Sequence, residues 1–203
     1  MEKTMSPSAK TLTDGQIVKL TDQIRDKLRK SNLPSEASQQ VIEAQGEAIA
    51  IQLVNDFRKR VETISNMVVR HVTVDRSLKP EAVLDATERA KYTDKKVVQS
   101  MPKGEGNETD VCFFTVGRYL SDEELEKEYA SRGLVPADPY SQAAVNRDDK
   151  TFADDHPNGT HWKDADGKWC FAAFRRWRGE RHVYVFRSYD EWHDGWWFAG
   201  VRK

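Results

Sequence analysis

Residues 169–187 read WCFAAFRRWRGERHVYVFR, two runs of aromatic, aliphatic and basic residues around one glycine. Successive side chains of a strand point to opposite faces. Centred on a two-residue Gly179-Glu180 turn with glycine in its first position, the hairpin sets Trp177 opposite His182, Arg175 opposite Tyr184, and Ala173 opposite Phe186. One face then carries Trp169, Phe171, Arg175, Trp177, His182, Tyr184 and Phe186. The other carries Cys170, Ala172, Phe174, Val183 and Val185, with Arg176 and Arg187 at its margins. The second set is small and aliphatic, as a surface packed under helices requires. The first is aromatic with basic edges. Two readings compete for it: burial beneath other elements, since Trp and Tyr are common in small β-rich cores, or a partly open platform. In the open reading, the rings stack unpaired bases while Arg175, Arg178 and Arg181 hold phosphates. The same surface also suits a sugar or a peptide.

Turn signals flank this hairpin. Asp166-Gly167 lies between Trp162 and Trp169, and Asp194-Gly195 marks a third turn, so the C-terminal stretch reads as a β-meander. All six tryptophans fall between 162 and 197.

Upstream, the periodicity changes. Thr13-x-x-Gln16 is a capping box, followed at helical spacing by Ile17, Leu20, Ile24 and Leu28. Pro34 ends that helix and Ser35 opens a second, over 36–66, with Ile42, Ile49, Leu53, Phe57, Val61, Ile64 and Val68 on one stripe. The two helices form a hairpin whose second arm is too long for the first to cover. Its remaining stripe has to pack on the C-terminal domain, on a partner helix or on another copy of the chain, through residues 42–68. From Met67, alternation at Val68, Arg70, Val72 and Val74 predicts a strand. Ser77–Ala90 and Thr93–Met101 read as helices, Val111–Val116 as a buried strand, and Ser121-x-x-Glu124 as a second capping box opening a helix that ends near Gly133. Residues 134–160 are rich in Pro and Asp and read as a long surface loop, with at most a short helix around Ser141–Asn146.

The expected fold is α+β: a mainly antiparallel sheet with helices on one side over 67–203, preceded by a helical hairpin over 12–66 and a flexible tail over 1–11.

Composition narrows the function classes. Of 203 residues, 38% are hydrophobic and 32% charged, with a net charge of −1, so no whole-chain charge calls for nucleic acid or membrane. The distribution is uneven: residues 161–203 hold 9 basic and 6 acidic residues, whereas 71–160 hold 12 and 18. Cys112 and Cys170 sit in apolar runs and read as buried thiols. No apolar stretch is long enough to span a bilayer and the first residues lack a secretory pattern, which together predict a cytoplasmic protein without membrane contact.

Catalytic motifs are sparse. Asp155, His156 and His161 lie close in sequence, with His182 further on; together they suggest water activation by a hydrolase. The His156-x4-His161 spacing is not a zinc pattern, so no metal is expected. Asp164-Ala165-Asp166-Gly167 begins like a calcium loop, but its twelfth position is Arg175 where a Glu is needed. Gly104-Glu105-Gly106 lacks the context of a dinucleotide loop, and no cofactor is expected. Cys170 between two aromatics lacks the setting of a reactive thiolate. Glu123, Glu124, Glu126 and Glu128 read as a solvated acidic helix face. The leading expectation is a non-enzymatic binding module that uses the helical hairpin and the aromatic-basic sheet surface. The alternatives are the hydrolase and a single-stranded nucleic-acid binder at 169–186, where a peptide is the other candidate ligand.

Overall fold

The computed structural model describes residues 11–188 and 191–203; all but one residue of the expected N-terminal tail lies outside this range. The chain divides into two compact units, one formed by the helices up to Ser65 and the other by residues 66–203.

The first unit is α1 (Asp14–Arg29) and α2 (Ser35–Ser65). The Thr13 hydroxyl accepts from the Gln16 amide while Gln16 accepts from the Thr13 amide, so two amides that helix geometry leaves unpaired are satisfied. Neither helix buries a residue.

The second unit is α+β, with elements β1 (Met67–Thr73), α3 (Pro80–Asp85), β2 (Ala90–Thr93), α4 (Lys95–Gln99), β3 (Glu108–Thr115), α5 (Asp122–Ser131), β4 (Leu134–Pro136), α6 (Pro139–Asp148), α7 (Phe152–Asp155), β5 (Asn158–Lys163), β6 (Trp169–Trp177), β7 (Glu180–Arg187) and β8 (Trp197–Arg202). One eight-stranded sheet runs β1-β3-β8-β5-β6-β7-β2, with β4 also on β8.

The sheet is mixed: β2 joins β7 and β5 joins β8 in parallel, and the other pairings are antiparallel. Helices cover both faces, not one. Residues of α3, α4, α6 and α7 pack with Val111, Phe113, Ala172, Phe174, Val183 and Val185 in the larger core. Leu125 and Tyr129 of α5 pack with Cys112, Phe114, Ala173 and Phe198 on the opposite face. The meander is also interrupted. β5, β6 and β7 are sequential neighbours, but β8 crosses over to lie between β3 and β5.

The stretch 134–160, expected as a surface loop, is β4, α6, α7 and the start of β5, and every residue from Pro139 to Asn146 is buried. One Asp-Pro pair in it, Asp138-Pro139, starts a helix. Asp138 caps α6 by accepting from the Ser141 amide, and Pro139 occupies the first turn, where its missing N–H costs nothing. The buried amide donors of α6 are paired: Gln142 Nε2 and Asn146 Nδ2 both donate to Asn158 Oδ1, at 2.9 and 3.0 Å, while Gln142 Oε1 has no partner among the described residues. The helix expected over 77–90 is only α3, and β2 follows it. Cys112 and Cys170 are buried and unbridged. Among the described residues no helix is long and apolar enough to cross a membrane.

Gly159 marks a close approach between sheet and cover. A Cβ there would stand 2.5 Å from Cζ3 of Trp192. That ring is buried and held by its Nε1–H, which donates to Asp122 at 2.9 Å, so it cannot yield cheaply. Gly159→Ala is expected to lower stability by about 1–3 kcal/mol, the usual cost of overpacking. Urea denaturation followed by tryptophan emission checks this, and an unchanged midpoint would show that the ring moves aside.

Candidate functional site

The β6–β7 hairpin carries the predicted faces on a different register. Arg178 and Gly179 both have positive φ, +50 and +88, as a type I′ turn requires, so the turn lies one residue earlier than Gly179-Glu180. The pairs are Trp177 with Glu180, Arg175 with His182, Ala173 with Tyr184, and Phe171 with Phe186. The shift is two residues, an even number, so each side chain keeps its face. Cys170, Ala172, Phe174, Val183 and Val185 are fully buried under the helices. Across the sheet, Phe171, Arg175, Tyr184 and Phe186 are half-buried and Trp177 is 48% exposed.

β2 extends this face. Its Tyr92, 49% exposed, pairs across from Tyr184 and stacks on it at 5.4 Å and 19°. His182 is buried between Tyr92 and Tyr184, and its Nδ1 lies 2.7 Å from the Tyr184 hydroxyl. The Arg175 guanidinium lies over both Trp177, at 4.5 Å, and Tyr184, at 5.2 Å, and its buried Nε has no hydrogen-bond partner. Arg178 approaches the Trp177 ring at 6.0 Å. Neither arginine is paired with a carboxylate among the described residues. Arg181 differs: it makes a 2.7 Å ion pair with Asp154, which Arg176 also approaches. That pairing holds the Asp154 carboxyl below its ordinary range. Arg181 is therefore anchored to α7, leaving Arg175 and Arg178 as the cations of the face. Beside it, Phe171, Phe186, Trp192 and Trp196, with Arg187, Ser188 and Glu191, line a groove of about 310 Å³.

Trp169, the remaining member of the predicted set, belongs to a second locus. Its ring stacks on His161 at 4.5 Å and 12°, the Lys163 ammonium sits 4.5 Å over it, and its Nε1–H donates to Glu123. His161 is completely enclosed. Its Nδ1 is 2.7 Å from Asp122 and its Nε2 2.9 Å from Glu126, both on α5. Burial disfavours the imidazolium, but hydrogen bonds to Asp122 and Glu126 outweigh it and raise the pKa. Burial likewise pushes Asp122 up, and bonds from His161, Trp192 and Ser188 bring it below the ordinary carboxylate range. The His161 hydrogen bond lowers Glu126.

These residues border an open cleft of about 1210 Å³. Its charged walls are largely self-paired: Arg76 with Asp138 at 2.9 Å, Arg202 with Asp110 at 3.0 Å, Glu126 with His161. With a carboxylate on each ring nitrogen and no exposed edge, His161 is arranged to fasten α5 to β5 and not to exchange protons with a substrate. The two carboxylates bind opposite sides of the ring, so they do not converge on one point. Among the described residues no three His, Cys, Asp or Glu side chains form a group able to hold a metal ion.

The other hydrolase candidates lie apart. His156 stacks on Phe152 and meets Trp197, within the helix-covered layer, and Asp155 ends α7. His182 shares a face with His161 but lies two strands and four residues away, roughly 16 Å from ordinary strand spacings. The acidic face of α5 is partly solvated, as expected, and is also engaged: Glu123 with Trp169, Glu124 in the cap and with Arg118, Glu126 with His161, Glu128 with Arg132. Asp164 accepts from the amides of Asp166 and Lys168 as a turn residue.

Tyr92, Asp122 and Glu126 are the residues that motif reading missed. A signal for the last two was present: the Ser121 cap puts Asp122 at the first helical position, and Glu126 follows four residues later on the same face. Comparisons with protein-family models, curated proteins and solved structures find no match to this chain.

Proposed function

We propose that this protein is a non-enzymatic binding module whose working surface is the open aromatic-basic face of β6, β7 and β2, and that its ligand is single-stranded nucleic acid. The observation that carries this reading is the half-exposed cluster of Tyr92, Trp177 and Tyr184 around Arg175 and Arg178, two cations with no carboxylate partner among the described residues. Rings and guanidinium planes stack bases of any identity, and unpaired cations attract phosphate. Arg178 adds a point of its own. An L-residue with a side chain pays about 1–2 kcal/mol for a left-handed conformation, and Gly or Asn would make the turn more easily. The hairpin thus holds a cation at its tip at a cost to its own stability.

Anisotropy of a dye-labelled oligonucleotide tests the proposal. Trp177→Ala is expected to weaken binding by about 1–3 kcal/mol, the usual value of one stacked base. Arg178→Asn should weaken binding and flatten its salt dependence by about one phosphate contact, while the turn becomes more stable. Binding that ignores both substitutions would remove this face from consideration.

The second reading is an extended peptide. β2 ends the sheet, so its outer edge can accept an added strand beside the aromatic cluster. Such binding would depend on Tyr92 and depend little on salt.

A further inference from the structure

The long helix α2 displays an apolar stripe whose five central members are symmetric about Leu53; Val61, on its flank, stands opposite no apolar residue, since its counterpart is Gln45. Ile49 and Phe57 each lie four residues from Leu53, and Ile42 and Ile64 each lie eleven. At 100° per residue these five side chains fall within about 40° of Leu53 on either side, an arc of about 80° around the helix. Four of them are exposed: Ile42 at 61%, Ile49 at 40%, Leu53 at 48% and Ile64 at 86%, with Phe57 half-buried. Seven residues either side of Leu53, on the same stripe, stand Gly46 and Arg60. The charge pattern is the opposite of symmetric. Residues 36–50 carry Glu36, Glu43 and Glu47 and no base, whereas the second half holds the helix's three bases, Arg58, Lys59 and Arg60, between Asp56 and Glu62.

A 31-residue helix with this much apolar surface needs a cover, and α1, with 16 residues, is half its length. A stripe that maps onto itself under a two-fold rotation is what an isologous contact requires. We infer that two copies of this chain pair through α2 in antiparallel orientation, with Leu53 on the two-fold axis. Ile42 then meets the second copy's residue 64, and Ile49 meets its residue 57. Arg60 lies over the second copy's position 46, where glycine leaves room for the side-chain stem. Glu43 and Glu47 flank that position and take up the positive charge. Parallel pairing would align base with base and acid with acid, so the charge pattern selects the antiparallel arrangement. This pairing draws on nothing in the sheet's ligand chemistry.

Sedimentation of the full chain between about 1 and 100 μM, a range that covers weak to moderate dimers, is expected to show a monomer–dimer equilibrium. Leu53→Asp should shift it at least tenfold toward monomer, with the melting of the tryptophan-bearing unit unchanged. Orientation is read by disulfide formation. In the antiparallel dimer position 46 faces position 60 on the stripe, so Gly46→Cys and Arg60→Cys proteins should cross-link when mixed and not when each is oxidised alone. A strictly monomeric wild type, dimerisation indifferent to Leu53→Asp, or efficient self-cross-linking of Gly46→Cys would each overturn the inference.

Discussion

Replacing Asp122 by alanine is expected to lower the stability of the 66–203 unit by about 3–5 kcal/mol, the usual consequence of removing one partner from a buried charged pair. Asp122 is 6% exposed and accepts from both His161 and the Trp192 indole. Its loss strands an enclosed imidazole beside Glu126 and leaves a buried N–H without an acceptor, each costly away from water. For a unit of this size that corresponds to a fall of roughly 10–20 °C in melting temperature. Glu126→Gln makes the contrast. The Glu126 side chain is 45% exposed, so water replaces what is lost and the expected cost is below about 1 kcal/mol. All six tryptophans lie in this unit, so urea denaturation followed by their emission reports it without interference from α1 and α2. A loss under about 1.5 kcal/mol in Asp122→Ala would mean that the contact is incidental to the packing of α5, since such a value is typical of an ordinary hydrogen bond.

The same cluster sets a pH dependence. His161 holds its proton more tightly in the folded chain than at its ordinary value of 6.5. Its contribution is complete below that value and is lost as pH rises through the raised folded pKa. Asp122 and Glu126 have folded pKa values below their ordinary 3.8 and 4.5. Their contribution is present above those values and is lost as pH falls through the lowered ones. The cluster therefore stabilises most between about pH 4.5 and 6.5. The groups around the ring are Asp122, Glu126 and Tyr129 of α5, Lys163 of β5 and Trp169 of β6. Urea midpoints are expected to fall from pH 6.5 to 9 in the wild type and to fall less in His161→Gln, which has no proton to lose. Equal slopes in the two proteins would place the alkaline loss elsewhere.

What could be read from the sequence was local. The Thr13 and Ser121 capping boxes act over three residues and formed as read. The alternation in 169–187 assigned the aromatic and aliphatic side chains to their observed faces even though the turn was misplaced, because a two-residue slip preserves the alternation; Arg181, expected at the edge of the aromatic face, is instead paired with Asp154. The misreadings came where distant partners decide. Asp138-Pro139 signals a helix start, yet the surrounding Pro and Asp content reads as loop until the larger core is there to bury Tyr140 and Ala143–Val145. β2 has four residues and no hairpin partner; it exists because β7, some 90 residues later, accepts it in parallel. The crossing of β8 between β3 and β5 has no turn chemistry to announce it. In the candidate site, His161 meets its carboxylates across 39 and 35 residues, so an acidic helix face that looks solvated in sequence becomes its clamp. Tyr92 joins the aromatic face for the same reason β2 joins the sheet.

The most direct test of the binding face is the NMR spectrum of the six indole N–H groups, followed as a single-stranded oligonucleotide is added. Those of Trp162, Trp169 and Trp192 donate to Ser100, Glu123 and Asp122, whereas Trp177 stands 48% exposed beside Arg175. A saturable shift of the Trp177 resonance, weakened by salt, with those three unmoved, is the predicted result. Shifts confined to Trp162 and Trp169 would place the ligand in the cleft by His161, and a spectrum unmoved throughout would mean that the aromatic-basic face does not bind nucleic acid.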